Sequence, residues 1–493
     1  MTDSSSFFAF YNVVDGALRR SPTIHNGIDP ANCEKLWDTP VASKVDVNDA
    51  VEAAKKAFKE WKKTTFDQRV QLLREWQDAL KIYSEEFSLI IMRENGKPVS
   101  AAIPMLFGHC LNSEKKKFAD VEVQHSFVNM FEYFLSLKIP EEHHAASDRE
   151  YRVKYTPLGV VVGITAWNFP LGQPLMKALP ALLVGNCFIL KPSPFTPYSG
   201  LKAVEIAQRF LPPGVLQVLG GDDQLGPWLT HHPDVHKVSF TGSTASGKKV
   251  AAAATQTLKR VTLELGGNDA AIVFPDVDVD EIAPQIAMGC FWNSGQVCTA
   301  MKRLYIHEDV YAKMLDALVR EVKKMKMAPG TEAGAMVGPV QNEAQYQKLK
   351  DLFQDALEHN GKVVFGGSVR EGAGYFFEPT IVDKLSDDSR LVTEEQFGPI
   401  VPVLPWSNEE DVVKRANNTA MGLAASVWTK NLTKAEEIAD QLEVGSVYIN
   451  SSEKVSFEVP FGGHKQSGIG YECGPNALAI YCDMQILHYN FKS

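Results

Sequence analysis

Between residues 46 and 98 the hydrophobic positions recur at spacings of three and four. Val51, Ala54, Phe58 and Trp61 form one such series, and Val70, Leu73, Trp76 and Leu80 the next. This is the period of amphipathic helices burying one face. Asp46 and Asn48 stand where N-caps are expected, and Asn95-Gly96-Lys97-Pro98 ends the helical pattern. From Gly159 the pattern changes. Short apolar runs (Gly159–Ile164, Cys187–Lys191, Val215–Leu219, Lys237–Thr241 and Arg260–Leu265) alternate with helical stretches at Met176–Leu183, Leu201–Phe210 and Ser246–Ala253. That alternation predicts βαβ units around a parallel sheet. A second α/β series follows, with runs at Ala270–Phe274, Arg303–Ile306, Val401–Leu404, Ala424–Trp428 and Gly445–Asn450. Residues 137–156 are polar and extended.

Sheets of this kind bind ligands beyond the carboxyl ends of their strands. Candidate chemistry is therefore sought at Ala166–Pro170, Lys191–Pro197, Gly220–Gly226, Thr241–Gly247 and Glu264–Asn268. Phe240-Thr-Gly-Ser-Thr-Ala-Ser-Gly-Lys248 ends a strand and opens a helix, which suits either an anion at the helix N-terminus or a plain tight turn. It misses the P-loop pattern because Lys249 replaces the hydroxyl that would hold magnesium. Glu264 closes an otherwise apolar run, so it is either a desolvated general base or a carboxylate capping the next turn. Cys298 follows the polar turn Asn293-Ser-Gly-Gln296 after a helical run at Ile282–Cys290; it is either a nucleophile or a small buried hydrophobe. Asn168, a neutral donor at a strand end, suits an oxyanion site.

Composition narrows the setting. The chain has 493 residues, 45% hydrophobic and 22% charged, as in a soluble globular protein of two to four domains. A net charge of −10 argues against nucleic acid or an anionic membrane as partner. Seven cysteines without a CxxC pair argue against a disulfide scaffold or a metal site and for a reducing, cytoplasmic setting. Cys187, Cys290 and Cys482 lie in apolar runs and read as core. No basic segment precedes the apolar patch near the start, and the most apolar stretch, 178–190, is too short to cross a bilayer.

Taken in order, several motifs resemble the aldehyde dehydrogenase superfamily. They are Trp167-Asn168-Phe169-Pro170, Lys191-Pro192-Ser193, Phe240-Thr-Gly-Ser243, Leu263-Glu264-Leu-Gly-Gly267, Gly295-Gln296-Val-Cys298, Glu395-Gln-Phe397-Gly-Pro399 and Pro460-Phe-Gly-Gly463. The resemblance implies an α/β fold with a Rossmann-like cofactor domain (1–136 and 157–265), a catalytic domain (266–465) and a small β oligomerisation element (137–156 and 480–493). It implies oxidation of a small-molecule aldehyde to its acid, with Cys298 as nucleophile, Asn168 at the oxyanion and Glu264 activating water. Lys177 and Glu472 fall at the family's positions for a proton relay behind Glu264. The cofactor implied is NAD, with NADP possible. Its expected contacts are Thr165, Ala166, Trp167, Lys191, Ser193, Pro194, Gly226, Thr241, Gly242, Ser243, Leu265, Gly266, Glu395 and Phe397. The expected assembly is a homodimer or homotetramer.

Pro194 departs from the family pattern. A glutamate often found at this place would accept from the adenosine 2′-hydroxyl and repel a 2′-phosphate. The implied substrate tunnel comprises Phe169, Gln173, Met176, Trp292, Val297, Thr299, Val455 and Phe461, an apolar set with one amide. No arginine stands among these residues and Glu453 lies near the expected mouth, so aromatic or medium aliphatic aldehydes are expected over anionic ones. The alternatives are a P-loop NTPase, a cysteine-dependent esterase and a catalytically silent scaffold of the same fold.

Overall fold

The computed structural model describes residues 7–98, 118–368, 372–452 and 456–491. The first series of apolar runs forms the parallel centre of an eight-stranded sheet. Its strands run Leu216–Val218, Cys187–Lys191, Val160–Ile164, Lys237–Thr241 and Arg260–Glu264 across the sheet. From Val160–Ile164 the chain winds outward in one direction through two strands and then returns to build the other side. Crevices for ligands open at such a reversal, beyond the strands' carboxyl ends. There Ile164 lies level with Lys191, and Thr241 with Glu264. The loops that follow these residues therefore share one edge.

A seven-stranded sheet follows, with Asp269–Val273 between Met301–His307 and Ala424–Trp428, all parallel. Ala270 and Ile272 face one apolar cluster while Ala271 and Val273 face another. The strand is thus covered on both sides, as its continuous apolar sequence requires. A separate sheet pairs Cys482–Asn490 antiparallel with Arg149–Pro157, whose other edge takes Glu142–Ala145. Among the described residues no helix is long and apolar enough to cross a membrane.

Three details differ from the sequence expectation. The first long helix, Lys44–Trp61, is capped by Ser43, not by Asp46 or Asn48; the Ser43 hydroxyl accepts from the Asp46 backbone N–H and the Asp46 carboxylate accepts in return from the Ser43 N–H. The strands at Asn12–Val14, Ala17–Arg19, Ile24–Ile28 and Lys35–Pro40 were not legible locally. They are short and pair as two local hairpins, the first with the second and the third with the fourth, while Val13 also pairs with the distant Val218. Cys482 lies half-buried on an edge strand rather than in the core. By contrast the stop at Gly96 forms as expected, with φ +88° and no space for a Cβ between Pro339 and Pro30.

The Val160–Ile164 strand has glycine at 163 because the ring of Phe188, on the next strand, occupies the place of a Cβ. Phe188 is fully buried. Phe188→Ala is expected to destabilise the fold by about 3–5 kcal/mol, read as a lower denaturant midpoint.

Candidate active site

The two large sheets are joined by four residues. Glu264 ends a strand of the first, Leu265-Gly266-Gly267-Asn268 cross over, and Asp269 starts a strand of the second. A Cβ on Gly267 would come within 2.6 Å of both the Cys298 carbonyl oxygen and the Asp269 carboxylate. Glycine is what lets this crossing lie against the loop that carries the thiol.

That loop is strained and heavily braced. After the helix Val279–Phe291, residues Asn293, Ser294 and Gly295 all adopt left-handed backbone angles (φ +49°, +57° and +69°). Gln296 holds the turn: its amide donates to the Asn293 carbonyl at 3.0 Å, and its side-chain oxygen accepts from the Gln341 N–H at 2.8 Å. Ser294 donates to the Gly338 carbonyl at 2.9 Å. The bracing fixes where Cys298 emerges.

A cavity of about 150 Å³ opens beside it, lined by Asn168, Glu264 and Cys298 together. Of the tunnel residues expected from the sequence, Phe169, Gln173, Met176, Trp292, Val297, Thr299 and Phe461 line it. Val455 and Glu453 lie outside the described residues. Phe169 and Trp292 pack with ring centroids 5.5 Å apart.

The Asn168 amide is fixed at both ends. Its nitrogen donates to the Gln296 carbonyl at 3.1 Å, and its oxygen accepts from Gln173 at 2.8 Å. The orientation leaves one Nδ2 hydrogen for an oxyanion. Gln173 is therefore an orienting group as well as a wall.

Glu264 is buried, and neither carboxylate oxygen has a hydrogen-bond partner within the protein. Burial raises its pKa well above the usual carboxylate range; the nearby Glu472 adds to the rise and Lys177 opposes it. Lys177 and Glu472 form a fully buried ion pair at 2.5 Å, and Ser239 donates to the same Glu472 oxygen at 2.8 Å. Lys177, Glu472 and Ser239 thus make a small buried hydrogen-bonded cluster close to Glu264. Cys298 is partly exposed, and enclosure by protein pushes its thiol up to about 12. Lys302 opposes that rise, whereas Asp269, Glu264 and Glu395 add to it.

The residues expected to hold a cofactor gather along the adjoining strand ends. The Thr165 N–H donates to the Lys191 carbonyl at 3.1 Å, and the Gly242 N–H to the Glu264 carbonyl at 3.1 Å. Ala166 donates to Gln173 at 2.8 Å. Ser243 caps the helix Thr244–Thr255, its hydroxyl accepting from Ser246 N–H. Trp167 meets Phe397 edge-on at 5.2 Å, and Glu395 accepts from the Gly267 N–H at 3.0 Å, which places it over Gly266. Lys191 is buried and lowered to about 8, with Asp223 and Asp222 acting against that shift. Ser193 and Pro194 follow it, and His25 contacts the Pro194 carbonyl at 2.9 Å. Gly226, near the start of the helix Leu225–His231, faces open space. Lys248 turns away to Gln466 at 2.9 Å, which removes the phosphate-gripping lysine of a P-loop.

Other wall residues were not anticipated. Phe457, His125, Ser126, Lys97 and Glu122 line the cavity, as does Cys473, a thiol with no sequence context for chemistry. Lys97 is a cation at the wall, but it pairs with Glu122 and donates to the Asn168 carbonyl at 2.7 Å. His125, its ring tilted against Phe457 with centroids 4.5 Å apart, is lowered to about 4 by burial and so is uncharged at neutral pH. The segment 121–130, which carries His125, has no sharp sequence signal, because polar Glu122 and Ser126 are buried alongside its apolar residues.

The model of the aldehyde dehydrogenase family matches residues 19–487. The chain belongs to the aldehyde dehydrogenase family. An aldehyde dehydrogenase named LUC3 from Fusarium sp is 42% identical over 485 residues, covering 98% of this chain and 99% of that one. A mitochondrial succinate-semialdehyde dehydrogenase from Oryza sativa subsp. japonica is 35% identical, with 93% and 85% covered. Among solved structures, an NAD+ complex of an aldehyde dehydrogenase from Bacillus cereus superposes with a TM-score of 0.92 at 31% identity, over 100% of this chain and 99% of that one. As a family member the chain is an oxidoreductase acting on aldehydes.

Glu264 is buried and unpartnered, so its replacement by an uncharged isostere removes a source of instability. Glu264→Gln is expected to melt no lower than the unaltered enzyme while turnover falls by about 100- to 10,000-fold. In the unaltered enzyme, turnover is expected to rise with pH as the raised Glu264 carboxyl ionises, and that limb is expected to vanish in the variant.

Proposed function

We propose that this enzyme oxidises a neutral aldehyde to its carboxylic acid with NAD, through a covalent intermediate on Cys298. The observation that carries the reading is the convergence of Cys298, Asn168 and the unpartnered Glu264 on one apolar-walled cavity. The Cys298 thiolate adds to the carbonyl carbon, and the carbonyl oxygen becomes an alkoxide. The Asn168 Nδ2 hydrogen and the Cys298 backbone N–H stabilise that charge. Collapse of the alkoxide expels the C–H bond's electron pair as hydride and leaves a thioester. Glu264 takes a proton from water as its oxygen attacks the thioester carbon, and the C–S bond then breaks to release acid and thiolate. Glu264 passes its proton toward the Lys177–Glu472 pair.

Bound NAD supplies the hydride acceptor. The chain's residues fit it: Thr165 and Thr241 bring buried hydroxyls without hydrogen-bond partners to the cleft, and Gly226 leaves room beside Lys191. Lys191 and Ser193 would hold the adenosine ribose, Trp167 and Ser243 the pyrophosphate, and Glu395 with Phe397 the nicotinamide ribose and ring. We assign this binding to the unit built around 157–265, catalysis to 266–465, and self-association as a dimer or tetramer to the pair 137–156 and 480–493. Met484, Ile486 and Phe491 are exposed there, which supports the last assignment.

The walls support neutral substrates, because the cation they contain, Lys97, is already neutralised by Glu122. The experiment is a panel of aldehydes assayed for reduced cofactor with NAD and NADP in parallel, with Cys298→Ala as control. Aromatic and medium aliphatic aldehydes are expected to give higher kcat/KM than succinic semialdehyde, and the control to give no reduction. A semialdehyde acid as best substrate would overturn the substrate reading; dehydrogenase activity in the control would overturn the mechanism.

Pro194 offers no charge against a 2′-phosphate, so NADP is expected to support measurable turnover. Pro194→Glu is expected to lower kcat/KM for NADP by about tenfold or more while sparing NAD, since like charges in contact cost several kcal/mol. Undetectable NADP turnover by the unaltered enzyme would contradict this.

A further inference from the structure

Four residues beyond the thiol, at the start of the strand Met301–His307, stands a buried lysine that the mechanism above does not use. The Lys302 ammonium donates to the Cys298 carbonyl at 2.6 Å and the Val297 carbonyl at 2.9 Å. The Ala300 carbonyl lies at 3.5 Å and a Glu395 carboxylate oxygen at 3.6 Å. A lysine is seldom buried unless it is paired. Here it gathers the carbonyls on both sides of the nucleophile.

We propose that Lys302 is a positioning residue for the nucleophile, its ammonium tightening the Val297–Ala300 turn and polarising the peptide whose N–H meets the oxyanion. The proposal rests on the reading of Cys298 as nucleophile. The chemistry follows from the bonding. The Val297 carbonyl and the Cys298 N–H belong to one amide, so a cation on that oxygen draws electron density from the nitrogen and makes the N–H a stronger donor. The same charge acts on the sulfur. The charged groups acting on Cys298 are Asp269, Glu264, Glu395 and Lys302, and three of these four are acids that disfavour a thiolate. Lys302 is the cation among them. Arg303, next in sequence, points away and donates to the Asn268 and Ala416 carbonyls at 2.8 Å.

A purely structural role would be to tie the turn shut, and any donor of similar reach would serve. The two roles separate in the pH dependence of the thiol. Alkylation of Cys298 by iodoacetamide, followed against pH by mass spectrometry of the Cys298 peptide, reports the thiolate directly. The full-length enzyme is compared with Lys302→Met, Lys302→Gln and Lys302→Arg, with Cys298→Ala as blank. The neutral variants are expected to move the alkylation midpoint up by about one pH unit or more. They are also expected to lower kcat/KM by about tenfold or more, chiefly through kcat, since the weakened donor acts in the transition state. Lys302→Arg is expected to keep the midpoint closer to that of the unaltered enzyme.

Lys302→Gln keeps a donor without the charge, so it decides the matter if Lys302→Met does not fold. A folded Lys302→Gln enzyme with an unmoved midpoint and unchanged kcat/KM overturns the proposal. So does an arginine variant whose midpoint rises as far as that of the neutral ones. Failure of the nucleophile reading has a different signature, namely dehydrogenase activity persisting in Cys298→Ala.

Discussion

The crossing at Gly266-Gly267 is the constraint on which the site depends. Two sheets, each with its own apolar core, are connected here by four residues, and the chemistry lies on either side of them. Glu264 comes from the first sheet's last parallel strand, and Cys298 from the loop before a strand of the second. With side chains at 266 and 267 the crossing would meet Glu395, the Cys298 carbonyl and Asp269. Backbone contact at this point is what turns two separate sheets into one cleft.

Electrostatics then works against the fold and for the reaction. The site buries acids at Glu264, Glu472 and Asp269, the last raised to about 7 by burial. It answers them with two buried lysines, Lys177 and Lys302. One Glu472 oxygen takes both Lys177 and Ser239, whereas neither oxygen of Glu264 has a partner. A carboxyl in that condition destabilises the folded chain, and its raised affinity for a proton suits it to act as a base. The strained turn at Asn293–Gly295 follows the same logic, since Gln296, Ser294 and Asn293 use their side chains to hold a backbone shape unfavourable by itself.

Where local period and bulk coincide, sequence and structure agree closely. The runs Cys187–Lys191, Lys237–Thr241 and Ala424–Trp428 are strands over those same residues, because a strand covered on both faces needs an unbroken apolar run. The short strands near residues 12–40 were missed because runs of three to six residues are too short to show a period, although they pair as two local hairpins. Cys473 was unreadable for a different reason. It reaches the cavity wall only because Pro460-Phe461 pairs with Glu472-Cys473.

From its order of motifs alone, the chain determined its α/β class and pointed to a thiol, an acid and an amide that the fold brings to one cavity. These are properties of residue type in local context: glycines where backbones must touch, and polar groups at the ends of apolar strands. Tertiary structure decided which groups share a field. Lys97 faces Glu122, His125 leans on Phe457, Gln173 grips Asn168, and Lys302 folds back beneath Cys298. Charge and hydrogen bonding act through space over a few ångströms, so partnerships between distant residues exist only once packing has brought them there.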